Sequence, residues 1–330
     1  MTQPRVRLSG ISSVAWEHPS DKTALKALRQ MPGFDIALRK IFGIIAERTL
    51  RALAMGSSVE VSADQYPDLN RIYEEVLETL DSPKRYPLFV SQNPLVNAGA
   101  VGMDEPFIVL NSGIISLLEE DQLRYVLGHE VGHILSNHVL YKTLLRLMVQ
   151  LSRIAFASAL SGFAYTAIVS ALMEWDRKSE LSSDRAGLLA VQQPDVVREA
   201  LLRSAGGVAK GASIEAFQEQ ARRYQEDGDT LDSIAKALAL LNRSHPFPVQ
   251  RLKELDAWID SGEYEKILGG EYETRSAEDE VPSSWTTWKE SAGGYGGSLK
   301  SSTEPIVDWF RGIGDSARGW GRRAKGSTEE

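Results

Sequence analysis

The chain has 330 residues, 42% of them hydrophobic and 25% charged, and carries a formal net charge of -8 at pH 7. That composition suits a globular protein with one large or two modest cores, and the acidic balance offers no positive field to attract phosphates, so nucleic acid is excluded as the expected partner. No cysteine is present, which rules out disulfides and thiolate metal sites.

The N-terminal stretch MTQPRVRLSGISSVAWEHPSDK has basic residues but no apolar run of signal-peptide length. The expectation is therefore cytoplasmic residence without a signal peptide. Residues 22–54 read as helix, a break near Pro32-Gly33, then helix again, with Ile36, Leu38, Ile41, Phe42, Ile45 and Leu50 close to helical spacing. Helix continues over Leu69–Leu80 after the turn-like Tyr66-Pro67. The segments YPLFVSQ, LVNAGAVG and PFIVLNSG are short, rich in β-branched and small residues, and divided by Asn-Pro and Asp-Glu-Pro breaks. They read as three strands of one antiparallel meander. Helix resumes near Gly113, and a further helix opens at Glu120-Asp121, where acidic side chains suit a helix N-terminus.

Leu140–Trp175 is almost wholly apolar or small, Ser179–Ala190 is helical in pattern, and helices fill 194–268 with breaks at Gly206-Gly207 and at His245-Pro246-Phe247-Pro248. Beyond about residue 272 the composition shifts to Ser, Gly, Glu and Thr, which reads as a disordered tail. The organisation expected is a helical N-terminal region (1–60) packed on a catalytic domain (61–271), followed by a low-complexity tail (272–330) with a short amphipathic piece at 304–318.

The histidines are unevenly spread. Of five, three lie within ten positions in LGHEVGHILSNH. Four residues of helix turn about 400° and rise about 6 Å, so His129 and His133 leave one face, one above the other. Two neutral imidazoles so placed grip one zinc ion, and Glu130 sits beside them, where a base must be to take a proton from zinc-activated water. Zinc needs a third protein ligand. His138, nine positions after His129, lies about 180° around a continuous helix from it and cannot join unless the helix breaks first. RKSELSSDRAG offers Glu180 and Asp184, again four apart. Spacing leaves two readings open: Glu180 on the metal with Asp184 holding a ligand histidine, or a solvated acidic face paired with Arg177, Lys178 and Arg185.

HEVGH followed by ELSSD in an R-x-x-E-x-x-x-D-R-x-G frame resembles the M48 family of zinc metallopeptidases, in the gluzincin group with HtpX-like, Ste24-like and Oma1-like enzymes. NPLVNAGAVG, residues 93–102, resembles the family's strand before the zinc helix, and SHPFPVQRLKEL, residues 244–255, its Ser/Thr-His-Pro segment followed by an arginine. The resemblance covers about half the chain with its motifs in order. It implies a predominantly helical α+β, zincin-like catalytic domain with a small antiparallel sheet and an HExxH active-site helix. It implies one Zn2+ per chain on His129, His133 and Glu180, with Glu130 as general base and Asp184 as an orienting carboxylate. Asn97 and Ala98 then lie on the strand that binds substrate backbone, and His245 stabilises the oxyanion. Two departures stand out: Ser183 where the family usually has alanine, and Gly99 where a larger residue is common. The activity implied is metalloendopeptidase action on polypeptide substrates in protein quality control; a catalytically silent zinc-binding interaction module is the alternative.

Two segments bear on membranes. Residues 154–173 are free of charge and long enough to cross a bilayer. A single crossing of about 30 Å would part His133 from Glu180, and a second one through 139–153 would bury Lys142, Arg146 and Arg153 at high cost. A helical hairpin that does not span the membrane is expected. Peripheral contact through 154–173 or 304–325 is the remaining membrane reading.

Overall fold

A computed structural model describes residues 5–276 except 32–33, 35–37, 39–46, 152–161, 208–210 and 227–246. His245, most of the 22–54 helical stretch beyond Arg29, residues 154–161 and the tail segment 304–325 lie outside the described residues.

The architecture is predominantly helical α+β with one small sheet. Helix α1 (Pro19–Arg29) starts at an N-cap, His18, whose Nδ1 accepts from the Ser20 N–H, with Pro19 opening the first turn. Helix α2 (Glu47–Ser57) leads straight into β1 (Ser58–Glu60), and α3 (Pro67–Thr79) again starts on proline. Strands β2 (Leu88–Ser91), β3 (Ala98–Val101) and β4 (Phe107–Asn111) follow, then α4 (Ser112–Leu117). Helices α5 (Glu120–Leu135), α6 (Val139–Leu151) and α7 (Gly162–Val191) form the centre. The C-terminal part holds α8 (Pro194–Gly206), α9 (Ile214–Glu226), α10 (Pro248–Asp260) and α11 (Glu263–Leu268).

The sheet corrects the expected antiparallel meander. It is mixed and four-stranded, in the order β1-β2-β4-β3. β2 and β4 run parallel, Leu88 opposite Ile108 and Ser91 opposite Asn111. β3 lies antiparallel on the outer side of β4, Ala98 opposite Leu110 and Val101 opposite Phe107. The chain therefore leaves β2, forms the edge, and returns between the two. The burial of β2 gives the reason: Leu88, Phe89 and Val90 are all buried, one side chain on each face in turn, which suits an interior position with parallel pairing. β1, absent from the sequence reading, pairs antiparallel with β2.

Three apolar clusters hold the elements together. The largest joins α3, the sheet, α5, the C-terminal half of α7 and the C-terminal helices. A second joins Leu28 of α1, Phe34, Met103, Leu140, Tyr141, Leu144 and Met148 of α6, and Ile168, Leu172 and Trp175 of α7. A small third one packs Ala54 on Phe89 and Phe107. The second cluster answers the hairpin question for its described part: α6 and α7 bury their apolar faces against each other and α1. Among the described residues no helix is long and apolar enough to cross a membrane. Near the end of the described residues, Thr274 bridges Ile11, and Asp81 holds Arg7, the Gly10 N–H and Arg275 together. Residues 272–276, expected to open the tail, are thus tied to the N-terminal segment.

Candidate metal centre

Helix α5 begins with a reciprocal capping box between Glu119 and Gln122 and has Glu120 and Asp121 in its first turn. From Gln122 to Ile134 every residue is buried. A helix enclosed on all sides can be crossed closely by a neighbour only where its side chains are small. That neighbour is α7. An added Cβ on Gly128 would lie 2.4 Å from the Ala190 Cβ, one on Gly132 2.5 Å from the Ala186 Cβ, and one on Gly187 2.8 Å from the Tyr125 carbonyl oxygen. These contacts bring the backbones together at the level of the histidines.

The crossing places Glu180 against both imidazoles. His129 Nε2 lies 3.3 Å from Glu180 Oε2, and His133 Nε2 lies 3.1 Å from Glu180 Oε1. The three donor atoms lie within 4.8 Å of one another and all three residues are buried. The rings stand at 86° with centroids 4.7 Å apart.

The remaining ring nitrogens decide what these three can hold. His129 Nδ1 lies 3.0 Å from Asp184 Oδ1; a carboxylate only accepts, so this nitrogen carries a proton, and in the neutral ring Nε2 is the lone pair that faces Glu180. His133 Nδ1 is likewise engaged, 2.8 Å from Ser183 Oγ and 3.1 Å from His138 Nδ1. Lone pairs facing a carboxylate call for a cation between them. Two neutral imidazoles and one carboxylate form a donor set that zinc hydrolases use, so the residues fit a divalent ion. The metal-free titration shows the same demand: burial lowers the His129 pKa, but the Glu180 charge and the Asp184 hydrogen bond outweigh it and raise it to about 9. Burial and the nearby Lys142 charge hold His133 well below its ordinary range.

Asp184 is fixed from three sides. Tyr125 donates its hydroxyl at 2.7 Å, Arg251 Nε donates at 2.8 Å, and Arg251 Nη2 completes a bidentate clasp. Burial would raise the Asp184 pKa, but Arg251 outweighs it and brings it down to about 2. Lys142 donates to Asp176 at 2.7 Å and to Glu180 Oε1 at 2.6 Å. The sequence reading treated Lys142 only as a charge that a membrane would reject, Arg251 only as part of a motif, and Tyr125 not at all; no fixed spacing links any of them to Glu180 or Asp184.

The edge strand runs past the same place. The Ala100 N–H donates to Glu130 Oε2 at 2.7 Å, so the buried carboxylate next to His129 is also tied to β3. Asn97 and Ala98 sit three and two residues before Ala100. The Asn97 carbonyl accepts from the Asn111 N–H, inside the sheet, while its Oδ1 accepts from the Ala98 N–H. By strand alternation Ala98 and Ala100 direct their backbone groups to the open side. The Ala100 carbonyl accepts from Arg146 Nη1 at 3.0 Å, and the guanidinium lies where a side chain at residue 99 would be, Nη2 only 2.5 Å from an added Cβ. The Arg146 guanidinium thus occupies the space a side chain at residue 99 would take. Ser183 is explained by its contact with His133 Nδ1.

A His-x-x-x-His pair on one enclosed helix, a glutamate from a crossing helix and a second glutamate bonded to an edge strand define a zincin-like metallopeptidase. The model of peptidase family M48 matches residues 63–259. The plastoglobule-localized metallopeptidase 48, chloroplastic, of Arabidopsis thaliana is 32% identical over 283 residues, which cover 80% of this chain and 78% of that protein. A protease HtpX homolog of Sulfurihydrogenibium sp. is 30% identical over 95 residues, 28% of this chain and 32% of that one. Protease HtpX homolog 1 of Streptomyces coelicolor is 26% identical over 175 residues, 46% of this chain and 57% of that one. No solved structure matches the chain significantly. The chain belongs to peptidase family M48.

Proposed function

We propose that this metallopeptidase is a zinc endopeptidase in which Glu130 acts as the general base. The observation that carries the reading is the Ala100–Glu130 hydrogen bond of 2.7 Å, which couples a base candidate, adjacent to a ligand histidine, to the strand along which a peptide would lie. His129, His133 and Glu180 would hold the ion, which when bound supplies Lewis acidity to ionise water and polarise the scissile carbonyl. Glu130 Oε2 is anchored by Ala100, leaving Oε1 to take the proton of the attacking water and return it to the departing amine. Asp184, held by Arg251 and Tyr125, keeps His129 in the tautomer that presents Nε2.

An extended substrate would pair with the open side of β3, with Ala98 offering its carbonyl, Asn97 Oδ1 releasing the Ala98 N–H, and Arg146 turning away from the Ala100 carbonyl when pairing extends that far. Backbone pairing reads the middle of a chain and tolerates many side chains, which favours internal cleavage and a role in clearing unfolded polypeptides. Peripheral contact with a lipid surface fits the name of the Arabidopsis relative. We assign it to 304–325, whose aromatic residues followed by Arg311, Arg318, Arg322, Arg323 and Lys325 suit an anionic lipid surface.

The test uses purified protein loaded with zinc and a peptide blocked at both ends. Cleavage inside it, abolished by a chelator, supports the endopeptidase reading; cleavage only of unblocked peptides overturns it. Glu130→Gln retains one zinc per chain and loses roughly 10²–10⁴-fold in kcat. Activity within a few-fold of wild type removes Glu130 from the role of base.

A further inference from the structure

We propose that Asp21 and His138 form a proton-ordered relay that positions the metal ligand His133, so that a segment N-terminal to the family match completes the metal centre. The inference rests on the metal-site reading above and adds two residues to it.

The path begins where α5 ends. After Leu135 the helix stops, Asn137 adopts a left-handed conformation (φ 57°), and the His138 N–H donates back to the His133 carbonyl at 2.9 Å. This closing turn suits asparagine, which tolerates that region. It returns His138 to its neighbour: the helix does break, yet His138 meets the far nitrogen of His133 rather than the ligand cluster. The His138 Nδ1 to His133 Nδ1 distance is 3.1 Å. On its other side His138 Nε2 lies 3.0 Å from Asp21 Oδ2. Asp21 belongs to α1, outside residues 63–259 matched by the family model. His133 is 1% exposed and Asp21 and His138 are each 2% exposed, so solvent supplies no alternative partners.

The hydrogen positions follow from the acceptors. Ser182 donates its hydroxyl to Asp21 at 2.6 Å and the Trp175 indole N–H donates at 2.9 Å. Such donors favour the ionised carboxylate. An ionised Asp21 only accepts, which puts a proton on His138 Nε2 and leaves Nδ1 of the neutral ring as an acceptor. His133 then donates its Nδ1–H to His138, with Ser183 Oγ sharing it, and presents the Nε2 lone pair toward Glu180. With an ion at His133 Nε2, this assignment gives each ring nitrogen of the series a partner. Asp21 and His138 are positioning residues: they touch neither substrate nor ion, and act through the ring they orient. Outer partners of this kind change metal affinity by about 10–100-fold when removed.

The experiment compares wild type, Asp21→Asn, His138→Phe and His138→Gln in the full chain. Zinc affinity is measured by competition with a chromophoric chelator, and ring tautomers by long-range 15N–1H correlation, with five histidines to assign. Asp21→Asn and His138→Phe are expected to bind zinc 10–100-fold more weakly. In His138→Phe the His133 signals should shift from the Nδ1–H form toward a mixture. Gln at 138 can accept from His133 and donate to Asp21, so it should recover most of the affinity and the single tautomer. Melting of the chelator-treated proteins separates this from folding. If Asp21→Asn folds poorly, the Phe and Gln variants at 138, which leave Asp21 in place, decide. Affinities within twofold of wild type, or Gln no better than Phe, overturn the relay. Wild type that binds no zinc overturns the metal site itself, a different failure.

Discussion

Substituting Gly132 by alanine probes the helix crossing that brings the ligands together. An added Cβ would sit 2.5 Å from the Ala186 Cβ. Carbon atoms make ordinary contact near ~3.5 Å, so α5 and α7 must part by about 1 Å at this level. Overpacking of this kind costs about 1–3 kcal/mol, offset by up to ~1 kcal/mol from the better helix propensity of alanine. The net is a destabilisation of about 1–2 kcal/mol in the metal-free protein, read by denaturant unfolding after chelation. The effect on metal binding is larger in proportion. His133 on α5 and Glu180 on α7 are 3.1 Å apart, whereas a bound ion tolerates about 0.2 Å of error in its ligand distances. Zinc affinity should therefore fall at least tenfold. The double variant Gly132→Ala/Ala186→Gly removes the opposing methyl and should restore affinity, despite the propensity cost of a second helical glycine. A single variant with wild-type stability and affinity, or a double variant no better than the single, would refute the claim that this close approach builds the site.

Other consequences can be measured on the same protein. Arg251→Met leaves Asp184 buried without its cation; breaking a buried pair costs about 3–5 kcal/mol, so the chelator-treated protein should melt at a clearly lower temperature, and an unchanged melting curve would mean that Tyr125 suffices. The hydrogen bond from Arg7, the Gly10 N–H and Arg275 hold the Asp81 carboxyl below its ordinary range against the effect of burial. A lowered folded value gives a contribution that is complete above the unfolded aspartate pKa, ~4, and is lost as pH falls through the folded value. Wild type should therefore lose stability below about pH 4 more steeply than Asp81→Asn; parallel stability–pH curves would show that this clasp of Arg7, Gly10 and Arg275 contributes nothing.

Much of the site was readable because helical spacing is local. His129, Glu130 and His133 share one stretch of α5, and Glu180 and Asp184 share one face of α7, so their relations depend on 3.6-residue geometry alone. Which way α7 crosses α5 depends on Gly128, Gly132, Ala186 and Ala190, whose meaning appears only when the two helices are together. The sheet was read correctly as short strands before α5 but wrongly as a meander. A strand such as Leu88–Ser91, buried on both faces, has no alternation to set its pairing direction, and Ser58–Glu60 is too short to register. Lys142 and Arg251 reach Glu180 and Asp184 across long sequence separations, and the burial that makes them matter leaves no local pattern. Spacing left His138 out of the ligand set; its contact with His133 depends on a left-handed Asn137, which spacing does not encode.

The account's central claim is that one ion is held jointly by two imidazoles of α5 and the carboxylate of α7. Crystals of the zinc-loaded protein, measured on both sides of the zinc absorption edge, test it most directly. A single anomalous peak within bonding distance of His129 Nε2, His133 Nε2 and a Glu180 oxygen, lost in crystals of Glu180→Ala, is the predicted result. A peak completed by a different side chain, with Glu180 still held by Lys142 and turned away from the ion, would contradict it.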